Sequence, residues 1–235
     1  MIYYISEGKQ MTKEKVFFAK TLKEQVYEYL RDKIQRGEIK PGSLINLERT
    51  SSQLGISRTP LRDALLQLEF EGFVTIKPRK GIIVNSLDFD EIKKIYQIIG
   101  ALESSCIISC RGKLKENDIK RLEKLNLKME EAVEKGDFDT YYKHNLDFHN
   151  VFLEICGNDE LRKIVDTKKR RLYDFQRKRG ILKDWEKSSI KEHQKIVDYI
   201  KADDYKSAAD YMRDVHWSYE VQEKFVKKYY SFHNG

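Results

Sequence analysis

Between residues 21 and 36, Leu22, Val26, Tyr29, Leu30 and Ile34 recur at helical spacing, and Gly37 stands where such a helix would stop. A Pro41-Gly42 turn follows, then a short second helix over Leu47 to Leu54 that Gly55 ends. Ser57 is placed to cap a third helix with its hydroxyl, and Pro60 lies early enough in that helix to remove no hydrogen bond. Leu61, Ala64, Leu65 and Leu68 form its inward stripe, and Gly72 closes it. The period then switches. Phe73-Val74-Thr75-Ile76 and Ile82-Ile83-Val84 are β-rich runs flanking Lys77-Pro78-Arg79-Lys80-Gly81, which predicts a hairpin wing with a basic tip.

Prolines occur only at 41, 60 and 78, and beyond them the pattern is helical throughout. It predicts about six helices, near 88–111, 115–135, 137–156, 158–179, 183–201 and 203–230, with breaks at Gly112, Gly136, Gly157 and Gly180. Ile92, Ile95, Tyr96, Ile99 and Leu102 give the first of them a wide apolar stripe, as in a helix packed inside a bundle. The expected fold is mainly α. An N-terminal extension (1–19) leads into a winged helix-turn-helix of three helices plus a β-hairpin (20–86), and an all-helical domain (87–232) follows.

Composition narrows the class. At 235 residues, 35% charged and 40% hydrophobic, the chain can bury two cores. It has no run of about 18 apolar residues to span a bilayer, and its first residues lack the basic-then-apolar order of a signal peptide. A cytoplasmic protein that does not enter membranes is expected. Cys106, Cys110 and Cys156 are too few and too scattered for a disulfide framework, and they are expected to be reduced core thiols. The net charge of +7 is uneven: residues 1–86 carry 15 basic against 10 acidic side chains, and the rest is nearly balanced. That asymmetry suits a nucleic-acid-binding head on a near-neutral partner domain.

A helix that enters the major groove must show its first turns to DNA while its other face stays packed. With Leu61, Ala64, Leu65 and Leu68 inward, Arg58 and Arg62 lie one turn apart on the outer side, beside Thr59 and Ser57. Arg can grip guanine bidentately or clamp phosphate, and Thr can bind phosphate or touch a thymine methyl. Lys77, Arg79, Lys80 and Gly81 in the wing are placed to reach a neighbouring phosphate or the minor groove. Ordinary solvated helix charges are the alternative reading for either Arg alone.

The run Leu54-Gly55-Ile56-Ser57-Arg58-Thr59-Pro60-Leu61-Arg62-Asp63-Ala64-Leu65, followed by Leu68-Glu69 and Gly72, closely resembles the GntR family of bacterial regulators. Gly37, Pro41-Gly42 and Lys80-Gly81-Ile82-Ile83-Val84 extend the likeness over about residues 20–86. It implies a transcriptional regulator, expected to be a repressor, that binds a pseudo-palindromic double-stranded operator as a homodimer. One departure bears on contacts: the family commonly has a basic residue where this chain has Glu48, so the resemblance shifts that contact to the adjacent Arg49. Thr50-Ser51 also replaces the family's Leu-Ala, which makes the second helix more polar.

The five His residues, 144, 149, 193, 216 and 233, all lie in the helical part. Asn145 and His149 are four apart and share a helix face. His193 and His216 sit on two later predicted helices. Three imidazoles and one oxygen converging in a bundle would suit a divalent transition metal, although spacing alone favours satisfied core histidines.

Asn145-Leu146-Asp147-Phe148-His149, Gly157-Asn158-Asp159-Glu160-Leu161, Glu192-His193-Gln194-Lys195-Ile196-Val197 and Val215-His216 resemble the FCD effector domain of the FadR-type subfamily. The resemblance implies an FCD-type bundle, ligands Asn145, His149, His193 and His216 for Zn, Ni or Mn, and a small-molecule effector, typically a carboxylate. Asn145 replaces the usual Asp, supplying an amide oxygen without charge. An Arg frequent in the family's first long helix is also missing from Gln97-Ile98-Ile99-Gly100-Ala101-Leu102-Glu103, which points to an atypical acid or another effector.

Lys168-Lys169-Arg170-Arg171, with Arg177, Lys178 and Arg179, reads first as a solvated helix face, then as an anion-binding pocket wall, and last as a dimer or DNA-facing patch. The aromatic residues of the last helix read as core. Two alternatives stand beside the metal-containing regulator: a metal-free FadR-like regulator with an acyl ligand, and a metallohydrolase carrying a DNA-binding domain. No HExxH or comparable motif supports the hydrolase, and no enzyme activity is expected.

Overall fold

The computed structural model describes residues 20–174 and 183–230. The 1–19 extension, Arg177, Lys178, Arg179, Gly180 and His233 lie outside the described residues.

α1 (Leu22–Gln35) starts on a capping box: Glu24 N–H donates to Thr21 Oγ1 at 3.2 Å, and Thr21 N–H donates to the Glu24 carboxylate at 2.7 Å. Its buried face is Val26, Tyr27, Leu30 and Ile34, whereas Leu22 and Tyr29, expected on the inner stripe, are exposed. Each four-residue step advances about 40° around a helix, so the stripe through Val26, Leu30 and Ile34 drifts toward Tyr27 and away from Tyr29. β1 (Leu44–Ile45) precedes α2 (Leu47–Leu54), which is capped by the Asn46 side chain and ended by Gly55 at φ 64°. α3 (Arg58–Phe70) buries Leu61, Ala64, Leu65 and Leu68 as the pattern predicts. Ser57 occupies its N-cap position but makes no side-chain capping bond, contrary to expectation.

β2 (Val74–Lys77) and β3 (Gly81–Val84) form the wing. β1 pairs antiparallel with β3, Leu44 facing Ile83 and Ile45 facing Ile82, so the sheet is three-stranded in the order β1-β3-β2 and not a lone hairpin. Two residues are too short for a visible alternation in the sequence. Val26, Leu30, Leu61, Leu65, Phe73 and Val84 lie at the centre of this head's core.

The helical part comprises α4 (Phe89–Ser109), α5 (Glu116–Lys135), α6 (Phe138–Cys156), α7 (Asp159–Asp174), α8 (Lys183–Lys201), α9 (Tyr205–Tyr211), a π turn over Met212–His216, and α10 (Tyr219–Tyr230). The predicted final helix is therefore interrupted. At Trp217 the backbone leaves helical geometry, and the buried indole N–H donates to Glu103 at 2.8 Å. Gly100 on α4 makes this possible: a Cβ there would lie 2.9 Å from Trp217 Cβ. A second core fills the bundle, and Cys106 and Cys110 are buried in it, the Cys106 thiol pushed above its usual range by burial and its contact with Cys156. No described helix is long and apolar enough to cross a membrane.

Candidate functional site

The structure places all nine residues expected to face DNA in solvent: Arg49 on α2; Ser57, Arg58, Thr59 and Arg62 at the start of α3; and Lys77, Arg79, Lys80 and Gly81 in the wing. Arg79 takes the left-handed conformation at the wing tip, φ 62°, which turns the chain there. Glu48, the acidic departure on α2, is not idle: its carboxylate lies 2.7 Å from Arg58 Nη2, with both side chains more than half exposed. Ser51 is buried and satisfies its hydroxyl by donating to the Glu48 carbonyl at 2.9 Å, so a polar residue is accommodated in α2.

In the bundle, α6 supplies His149, α8 His193, and the π turn His216. One ligand atom from each imidazole lies within 4.8 Å of the others, and ring centroids are 5.1 Å apart for 149–193, 5.2 Å for 149–216 and 4.7 Å for 193–216. The π turn inserts an extra residue into the last turn of its helix, a device frequent at functional sites, and it carries His216. His149 Nδ1 lies 2.8 Å from the Glu103 carboxylate, and His216 Nδ1 lies 2.8 Å from that of Glu192. With Nδ1 engaged on both rings, Nε2 is the nitrogen left to meet a ligand. No nitrogen of His193 or His149, both fully buried, makes a hydrogen bond among the described residues, and the Glu103 carboxylate beside His149 Nδ1 is an ion-pair contact. Buried polar atoms without partners are rare, so these nitrogens fit a metal better than they fit a satisfied core.

The electrostatics favour ligation as well. Burial pushes the His149 imidazole down to about 4, against the opposing pull of Glu103, and burial with the neighbouring His216 and His149 holds His193 well below its usual range. Both rings are then neutral near pH 7, as metal ligation requires. Burial alone would raise the Glu103 carboxyl, but the adjacent His149 and Lys169 outweigh it and keep the group ionised. Lys169 Nζ lies 2.5 Å from Glu103 Oε1, with both side chains almost wholly buried.

Asn145, also buried, lines an adjoining cavity together with His216 and engages Tyr173. Tyr96, Tyr141, Tyr173, Trp185 and Trp217 form aromatic walls, and Glu186, Glu192 and Gln222 add polar atoms. No described Lys or Arg lines the cavity. Ile99, at the position where the family often has Arg, is fully buried in the core and outside it.

The reading of Lys168–Arg171 as a solvated face is overturned for two of its members. Lys169 and Arg171 are each 2% exposed, Lys169 paired with Glu103, and Arg171 with Glu91 and the Ser86 carbonyl. Lys169 does not form an open anion-binding wall either, because its partner is internal.

The FCD domain family matches residues 94–216, just over half of the chain, and the family described as bacterial regulatory proteins, gntR family, matches residues 22–84. The chain belongs to the GntR family, with an FCD effector domain. It is 27% identical over 190 residues to the uncharacterized HTH-type transcriptional regulator YdhC of Bacillus subtilis (strain 168), covering 80% of this chain and 84% of that one. It is 26% identical over 196 residues to the HTH-type transcriptional repressor GlaR of Escherichia coli (strain K12), covering 80% and 89%. Among solved structures, E. coli McbR/YncC has the same fold, with a TM-score of 0.64 at 22% identity over 92% of this chain and 100% of the other. These relatives and domains mark a DNA-binding transcriptional regulator.

In this GntR-family chain, sequence reasoning found the imidazoles but missed the groups that position them. Lys169 was findable: Val165, Lys169 and Leu172 follow the i, i+4, i+7 stripe of a buried face. Glu103 follows a long apolar stretch of α4, and an ionised side chain on such a face needs a buried partner. Glu192, adjacent to His193 in sequence, supports His216 instead, which no local pattern reveals.

Proposed function

We propose that this GntR-family regulator is a homodimeric, ligand-responsive repressor whose two heads read a pseudo-palindromic operator and whose bundles each hold a divalent transition metal, Zn, Ni or Mn, beside a small carboxylate effector. Residues 20–86 serve DNA binding, through Arg49, Ser57, Arg58, Thr59, Arg62, Lys77, Arg79, Lys80 and Gly81. Residues 87–232 serve effector binding and dimerisation. The observation that carries the reading is the convergence of His149, His193 and His216, two of them braced by carboxylates and the third with both nitrogens open, next to a cavity that Asn145 shares.

His149, His193 and His216 would hold the metal, with Asn145 as the oxygen donor on the cavity side; when bound, the metal offers a carboxylate the positive centre that the described lining lacks. The cavity is small, about 60 Å³. That volume favours a small acid over the acyl chain of a metal-free FadR-like regulator. A hydrolase needs a free general base at the metal. Glu103 is occupied by His149, Lys169 and Trp217, and Glu192 by His216 and Gln222, which argues against that reading.

Elemental analysis of unstripped protein tests the proposal, with about one metal ion per chain expected. Chelation should lower Tm and re-addition of Zn, Ni or Mn restore it, since a ligand at 100 times its Kd adds about 2.7 kcal/mol. Protein that carries no metal and melts at the same temperature with each ion would remove the four-ligand site.

A further inference from the structure

The basic run of α7 sends consecutive side chains in different directions. Lys169 enters the bundle and meets Glu103 Oε1 at 2.5 Å; the other oxygen of that carboxylate lies 2.8 Å from His149 Nδ1 and accepts the Trp217 indole N–H. Arg170 leaves toward the head, with Nη2 3.6 Å from the carboxylate of Glu71, the residue that ends α3. Tyr27 of α1 donates to the same Glu71 carboxylate. Arg171, 2% exposed, donates from Nη2 to the Ser86 carbonyl at 2.6 Å, just after the wing, and from Nε and Nη2 to Glu91 at 2.9 and 3.1 Å. Its guanidinium also lies over the Phe73 ring, 5.6 Å from the centroid. Gly72, which follows α3, packs against it: a Cβ there would stand 3.4 Å from Arg171 Nε.

Three adjacent residues of one helix thus hold the carboxylate behind His149 at one end and the base of α3 and of the wing at the other. A helix moves as a rigid element, and releasing either buried cation would strand a charge out of water, so a shift imposed at Lys169 is carried across α7. The same helix contributes Leu172 and Tyr173 to the cavity wall, which gives a bound molecule a second hold on it.

We propose that Lys169-Arg170-Arg171 couples the effector site to the DNA-binding head: occupancy of the imidazole site and its cavity displaces the Glu103–Lys169 pair, and α7 passes the displacement to Glu71, Gly72 and Ser86, changing how α3 and the wing are presented to DNA. This rests on reading the imidazole cluster and its cavity as the effector site. It requires two arrangements of α7 that ligand and operator favour differently.

Hydrogen–deuterium exchange on the full chain tests the coupling without needing the effector. Lys169→Met keeps length and removes the charge, and Arg171→Met cuts the head-side contact. Lys169→Met should raise exchange across residues 71–86 by at least about twofold, the low end of coupling within one contact network, although the contacts of Lys169 with Glu103 and the Trp217 ring lie in the bundle. In the Arg171→Met background it should add no further rise there. Glu103→Gln, which keeps the shape of the side chain, provides the same perturbation should Lys169→Met fold poorly. Exchange over 71–86 unchanged by Lys169→Met and Glu103→Gln, or an undiminished rise in the double variant, would overturn the proposal. Zn(II) titration of the wild-type chain, followed by melting, reports separately on the site itself: no shift there counts against the metal reading, while the exchange data still decide the coupling.

Discussion

In the DNA-reading head, Arg49, Arg58, Arg62, Lys77, Arg79 and Lys80 stand in water, whereas in the bundle Glu103, Lys169 and Arg171 are almost wholly removed from it. The two regions therefore use charge for different ends. Exposed cations cost little to maintain, contribute little to stability and are free to meet phosphate and base edges. Buried ions must be paired on every side, which makes them rigid and lets them fix the position of other groups. The Glu48–Arg58 pair and the Glu103–Lys169 pair have similar lengths, 2.7 and 2.5 Å, yet the first is more than half exposed and the second hidden. Distance alone says little about what a salt bridge does; the solvent around it decides.

The largest effect should come from breaking the buried pair on one side. Glu103→Ala strands Lys169 and removes the support of His149, and urea unfolding should show a loss of about 3–5 kcal/mol. Replacing both partners, Glu103→Leu with Lys169→Leu, should recover most of that loss. Equal losses in the single and double variants would mean that the charges are not the cause.

An intermediate effect is expected at Tyr27, where the head does contain a buried polar contact. Burial and the Glu71 carboxylate push the Tyr27 hydroxyl up to about 12. A raised folded-state value means the stabilisation is complete below about pH 10, the unfolded value, and is lost as pH rises toward 12. Tyr27→Phe should cost about 1.5–3 kcal/mol at pH 8, and melts of the two proteins should draw together between pH 10 and 12. A constant gap over that range would refute the assignment.

The smallest effect on folding, and the most informative for recognition, lies on the exposed side. Arg58→Ala and Arg62→Ala should leave Tm unchanged while each weakens binding to an operator selected from random duplexes by about 1–3 kcal/mol. Glu48→Lys should strengthen binding to unrelated DNA and steepen the salt dependence by about one unit, because it adds a phosphate contact and releases Arg58. Binding unaffected by either arginine substitution would remove α3 as the reading element.

The head was the more legible half. Its helix stripes, glycine stops and wing runs are local signals, and the residues expected to face DNA are those the stripe leaves outside, where the structure exposes them; Tyr27 and the short β1 escaped because each depends on a partner far along the chain. In the bundle the helix limits were nearly as clear, and the interruption at Trp217 was not, since it arises from a close approach to Gly100 on another helix.

By itself the sequence determined the mainly α fold, the order of its elements, the family and the candidate imidazoles, because periodicity, caps and motif spacing act over a few residues. Only the tertiary structure decided that His149, His193 and His216 meet, that Glu103 and Glu192 brace them, and that a run of four basic residues contributes two buried ions. Those outcomes depend on which helix faces pack together, and a charge becomes a solvated ornament or a fixed internal brace according to the partner that packing brings to it.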